Sequence, residues 1–117
     1  MKRLGDGVMA TFLTAQAALE AALDAQEALT AVDVNGYRPR MRAGIHVGRP
    51  RKLGGDYLGV DVNIAARVAD SAKAEQVVVS DAAMAGLDLE GVRKGRRRRL
   101  RGEGTPSDMR IAPISRA

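Results

Sequence analysis

A chain of 117 residues with a formal net charge of +5, 45% hydrophobic but only 3% aromatic, must build any core from Ala, Val, Leu, Ile and Met. The absence of Cys and Trp excludes disulfide scaffolds and cysteine metal sites, and it fits a reducing compartment, with the cytoplasm as the default. No apolar run approaches the roughly 18 residues of a membrane span and no signal-peptide pattern opens the chain, so a single domain without a membrane segment is expected.

The charge is patterned. Arg93, Lys94, Arg96, Arg97, Arg98, Arg99 and Arg101 form a basic run, whereas residues 15–33 carry Glu20, Asp24, Glu27 and Asp33 with no Lys or Arg. A basic run can mark a polyanion surface, but without an aromatic stacking partner it also reads as a solvated strand face.

In chain order, Gly5-Asp6-Gly7 separates two short apolar-containing arms, the signal of a tight hairpin with Asp6 at its tip. An Asp in such a turn commonly caps its own backbone. From Thr14 to Val32 the pattern is helical, with Ala15, Ala18, Leu19, Ala22 and Leu29 on one side, Gln16, Glu20, Asp24 and Glu27 on the other, and Thr14 as N-cap. Asn35-Gly36 and Pro39 mark a connection.

Residues 41–48 alternate as a strand, with Met41, Ala43, Ile45 and Val47 on one face and His46, the only histidine, on the other. A lone strand histidine reads first as a hydrogen-bonded structural residue, and second as a ligand or base. A glycine-rich stretch over 53–59 then leads into a helix over 61–73, for which Asp61 is the expected N-cap. On that helix Asn63 and Arg67 fall about 40° apart on the wheel beside Asp70, with Val62, Ile64, Ala65, Val68 and Ala69 opposite. An amide and a guanidinium so placed suit a phosphate-bearing ligand, although the same spacing also describes an ordinary solvated face.

Gln76 to Ser80 reads as a short buried strand, and Ser80 or Asp81 caps a brief helical segment ending at Gly86. Two further strands are expected, one through the basic run to Leu100 and one over 109–112, with the run at a sheet edge because its alternation is poor.

Four segments taken in order carry a resemblance. They are Lys-x-x-Gly-Asp-Gly-x-x-Ala-x-Phe at 2–12, Arg-x-Gly-Ile-His-x-Gly at 42–48, Gly-Gly-Asp-Tyr-x-Gly-x-x-Val-Asn-x-Ala-Ala-Arg at 54–67, and Gln-Val-x-Val-Ser at 76–80. Together they resemble the catalytic domain of class III nucleotidyl cyclases. The resemblance implies an α+β, ferredoxin-like nucleotide cyclase fold in which residues 1–117 are a partial domain. The first strand and helices of the family domain, with the first metal-binding aspartate in a Phe-x-Asp-x-x-Gly-Phe-type segment, have no counterpart in these residues. A fragment of this kind is expected to leave apolar sheet surface exposed.

By the same resemblance, ATP is converted to 3′,5′-cyclic AMP and pyrophosphate with two Mg²⁺ or Mn²⁺ ions, at a site formed across a head-to-tail homodimer or a pairing with another cyclase domain. Asp6 matches the second metal-binding aspartate. Lys2 and Asp56 match the base-reading pair, in the adenine-selecting combination. Asn63 matches the residue that orients the ribose, Arg67 the one that stabilises charge on the reacting phosphate, and Arg101 a basic residue on the terminal phosphates. Two other readings stand beside this one: a non-catalytic cyclase-like module that binds nucleotide or pairs with another cyclase chain, and a basic protein that binds nucleic acid through the Arg93 to Arg101 run. Nucleic acid is not the expected partner on the first reading.

Overall fold

The computed structural model describes residues 2–4, 7–10, 12–48, 51–53, 56–58, 60–73, 75–101 and 109–117, with side chains left undescribed for residues 2–9 and 51–60. A five-stranded mixed sheet carries the fold, in the order β3 (Ala43–Ile45), β6 (Val77–Ser80), β9 (Arg110–Arg116), β7 (Val92–Lys94), with β8 (Arg98–Arg99) also on β9. β3 and β6 run parallel, and all the pairings to β9 are antiparallel. Two hairpins stand apart as two-stranded sheets: β1 (Lys2–Leu4) with β2 (Gly7–Met9), and β4 (Arg51–Leu53) with β5 (Asp56–Leu58).

The sheet is covered on both faces, which is why β6 is Val-Val-Val-Ser without a polar alternation. Val77 and Val79 face α1 (Ala15–Thr30) and α3 (Asp81–Met84), packing with Leu19, Leu23, Ile45, Ala83 and Ile114. Val78 faces α2 (Val60–Ser71) and packs with Ile64, Val68, Ala72, Leu100 and Ile111. The open surface is therefore a sheet edge rather than the expected apolar face: β3 has β6 on one side and no other partner among the described residues. The exposed apolar side chains, among them Phe12, Leu13, Val34 and Tyr37, lie off the sheet.

The caps follow their chemistry. Thr14 accepts from Ala17 N–H and starts α1, and Ser80 accepts from Ala83 N–H and starts α3. Asn35 and Gly36 both take positive φ in a tight turn closed by Val34 and Tyr37, where glycine and asparagine bear the left-handed backbone at least cost. At the far end of β9, Arg116 bonds Glu27 and Asp24 of α1, which together hold its guanidinium pKa above its usual range.

The basic run does not make one strand. Between the Lys94–Ile114 and Arg98–Ile111 pairs, residues 95–97 oppose residues 112–113, so the edge carries a bulge that splits it into β7 and β8. Pro113, which cannot donate to the ladder, sits at that bulge, and its carbonyl accepts from Gly95 N–H at 2.8 Å. No helix among the described residues is long and apolar enough to cross a membrane.

Candidate functional site

The glycine-rich approach to α2, expected only as a stretch leading into the helix, carries a paired strand on each side of Gly54-Gly55. Leu53 pairs with Asp56 across Gly54-Gly55, and the paired arms are Arg51–Leu53 and Asp56–Leu58. Gly-Gly between two such arms is itself a hairpin signal. Asp56 opens β5, four residues ahead of α2.

α2 then seats its apolar side on the sheet. Ile64, Val68 and Ala72 are buried, while Asn63, Ala66, Arg67 and Asp70 are exposed. One helical turn separates Asn63 from Arg67, so both leave the same solvent-facing side. What fixes the helix is a period-two row on β3 and its extension, Gly44, His46 and Gly48. A Cβ on Gly44 would lie 2.2 Å from Ala69 N, so helix and strand touch backbone to backbone. A Cβ on Gly48 would lie 2.1 Å from Asp61 Cγ.

His46 fills the space between the two glycines. Its side chain is only 4% exposed, and its Nε2 donates to Asp61 Oδ1 at 3.0 Å. Asp61 can only accept when ionised, so the proton on that side belongs to the ring. Ser80 Oγ lies 2.7 Å from Nδ1 while also accepting from Ala83 N–H, so one buried hydroxyl joins β6, α3 and His46. The expectation of a hydrogen-bonded structural histidine holds.

Asp61 is not the N-cap. α2 begins at Val60, and Asp61 sits in its first turn with its carboxylate directed at His46, a position where a negative charge also complements the helix dipole. At the other end, Arg98 donates to Ser71 O at 2.6 Å, a cation on a terminal carbonyl. Both ends of the helix that carries Asn63 and Arg67 are thus held by side chains from the sheet. Neither tie was legible in composition, although the spacing Gly-x-His-x-Gly was a signal of close helix approach.

The other candidates are placed less fully. Lys2 lies on β1 opposite Met9, and Asp56 on β5; the side chains of both are outside the described set. Asp6 lies outside the described residues; Leu4 and Gly7, which flank Gly5-Asp6 in sequence, are paired. Arg101 is exposed, one residue beyond the buried Leu100. No hydrogen bond or ion pair among the described residues links Arg101 to Asn63 or Arg67. No group of three or more His, Asp or Glu side chains is placed to hold a metal ion among the described residues. A groove of about 440 Å³ opens elsewhere, beside the second half of α1, and its arginines are already paired: Arg38 with Asp33, Arg40 with Glu75, Arg116 with Asp24 and Glu27.

A mixed sheet covered by helices on both faces, flanked by two tight hairpins and presenting one polar helix side to solvent, defines an α+β domain built to hold that helix in place. Residues 2–111 match the adenylate and guanylate cyclase catalytic domain, and the chain belongs to that family. Such a domain is a nucleotide cyclase, a lyase; domains of this class generally use divalent metals, bind a nucleotide and usually dimerise. No individual curated protein matches the chain.

Proposed function

We propose that the protein is an adenylate cyclase that forms 3′,5′-cyclic AMP and pyrophosphate from ATP at the interface of a dimer. The observation that carries this reading is the exposure of Asn63 and Arg67 together on α2, a helix fixed at both ends, in a chain of this family. Asn63 orients the ribose so that its 3′-hydroxyl lies in line with the α-phosphate. Negative charge grows on the phosphoryl group as pyrophosphate departs, and the Arg67 guanidinium favours that state over the ground state.

Lys2 and Asp56 read the base. A Lys donor and an Asp acceptor complement adenine's N1 acceptor and N6 donor, and guanine reverses that edge, leaving mismatched polar groups. Arg101 meets the terminal phosphates. A divalent cation at Asp6, with a second carboxylate from outside these residues, would lower the pKa of the attacking hydroxyl and neutralise the phosphates. Among the described residues β3 has no partner on its outer edge, and that open edge supports pairing with a further strand that carries the second carboxylate.

Substrate choice tests the proposal. Replacing Lys2 and Asp56 together by Glu and Cys should move the preference of the full-length protein from ATP toward GTP, read as the ratio of kcat/KM values. Unchanged selectivity would show that this pair does not read the base.

A further inference from the structure

A buried titratable side chain, His46, lies beneath the helix that carries Asn63 and Arg67, and matched lengths put it there. Gly44 meets Ala69 and Gly48 meets Asp61, so about 13 Å of extended chain runs beside about 12 Å of helix, with His46 midway. The two glycine contacts set how closely helix and chain approach. The apolar cluster that holds Ile64 and Val68 adds attraction without direction. A hydrogen bond is directional and weakens steeply once bent. The bond from His46 Nε2 to Asp61 Oδ1 therefore sets the rotation of the first turn of α2 about its own axis, and Asn63 belongs to that turn.

Both partners of the ring are themselves held. A Cβ on Gly48 would lie 2.1 Å from Asp61 Cγ and 2.3 Å from its Oδ2, so the carboxylate is seated between that glycine and the ring. On the other side, with Nε2–H given to Asp61, the neutral ring accepts at Nδ1 from the Ser80 hydroxyl, whose oxygen accepts from Ala83 N–H. The donors all point one way, from α3 through β6 toward the carboxylate on α2, an alignment in which each bond polarises the next. Ser80 is 0% exposed, so this set of Ser, His and Asp presents no nucleophile to a substrate. It opens to solvent at Asp61, whose side chain is 37% exposed.

We propose that His46 is a positioning residue for the cyclisation: through Asp61 it sets the direction in which Asn63 leaves α2. This positioning rests on the ribose-orienting role given to Asn63 above. The tip of an exposed helical side chain lies about 5–6 Å from the helix axis, so a rotation of about 10° moves it by about 1 Å. A displacement of that size costs up to about a hundredfold in rate where a group must align a reacting atom. The effect falls on turnover rather than on affinity, because Asn63 aligns the ribose while the base and the terminal phosphates are held by other residues.

The test measures kcat and KM of the full-length protein with its preferred nucleoside triphosphate, at a temperature where circular dichroism shows each variant folded. His46→Leu, which removes the donor, is expected to lower kcat about tenfold to a hundredfold with KM changed less than about twofold. His46→Gln, which returns an N–H, should recover kcat to within about threefold of wild type. Gly48→Ala reaches the same carboxylate from an exposed position and should lower kcat about tenfold, which keeps the question answerable if His46→Leu does not fold; Gly86→Ala, with open space around it, should not. In an Asn63→Ala background, His46→Leu should cost less than about twofold more, since both act on one alignment. Unchanged kcat in His46→Leu and Gly48→Ala, equal losses in His46→Leu and His46→Gln, a loss carried by KM, or full additivity with Asn63→Ala would overturn the proposal. A wild type that cyclises neither ATP nor GTP would refute the cyclase reading, and the side-chain amide NMR signals of Asn63 then decide the positioning: signals that move in His46→Leu and Gly48→Ala but hold in His46→Gln support it, and signals that hold in all three overturn it.

Discussion

Replacing Gly44 by alanine probes the contact that sets the position of the candidate helix. The added Cβ would lie 2.2 Å from Ala69 N, 2.5 Å from Ala69 Cα and 2.7 Å from Val68 C, all backbone atoms that no rotamer change can move. Ordinary contact begins near 3.4 Å, so α2 must withdraw from β3 by about 1 Å. A gap of that size beneath Val68 and Ile64, which are 0% and 4% exposed, forfeits roughly a quarter to a half of their dispersion contact on that side. Adding this loss to the strain of overpacking gives a cost of about 3 kcal/mol. For a chain of this size that is a fall of roughly 10–15 °C in the unfolding midpoint, measured by far-ultraviolet circular dichroism on heating. Gly86→Ala is the control, because its Cβ would meet nothing nearer than 3.8 Å. A Gly44→Ala protein that melts within about 3 °C of wild type would refute the close seating of α2 on β3.

Two further expectations concern the same framework. His46→Leu takes the ring from between Asp61 and Ser80 and should cost about 1–3 kcal/mol in urea unfolding, with His46→Gln, which keeps a donor, losing less; equal losses would mean that the ring acts by volume alone. The raised pKa of Arg116 stabilises the fold below the unfolded-state value, and that stability is lost only as pH rises through the higher folded value. The difference in melting temperature between wild type and Arg116→Met should therefore stay constant between about pH 7 and 9, and a difference that vanishes in that window would contradict the pairing with Glu27 and Asp24.

Much of this framework was legible in the residues because it is local. The Thr14 cap, the Val-Val-Val strand and the apolar side of the helix over 61–73 each follow from a period or a cap, and the alternation expected over 41–48 locates β3, which spans only Ala43–Ile45 and leaves Val47 exposed. What escaped was long-range. Asp61 reads as an N-cap by type, but a buried histidine 15 residues earlier gives its carboxylate a partner inside the first turn. The basic run reads as one strand until Pro113, on a different strand, meets Gly95 and forces a bulge. Likewise Arg98 looks like one of several solvated arginines, yet it closes the end of α2. The four-segment resemblance supplied what periodicity could not, the family, and residues 2–111 match that family.

The central claim is that Arg67, presented beside Asn63 on α2, serves cyclisation of ATP. Its most direct test is the quantification of cyclic AMP and cyclic GMP formed by the full-length protein from ATP and GTP with Mn²⁺, alongside Arg67→Ala. The account predicts cyclic AMP in preference to cyclic GMP, with turnover lowered by about two to three orders of magnitude in Arg67→Ala and stability within roughly 0.5 kcal/mol of wild type, because the side chain is exposed. No cyclic nucleotide from the wild type, or undiminished turnover in Arg67→Ala, would contradict it.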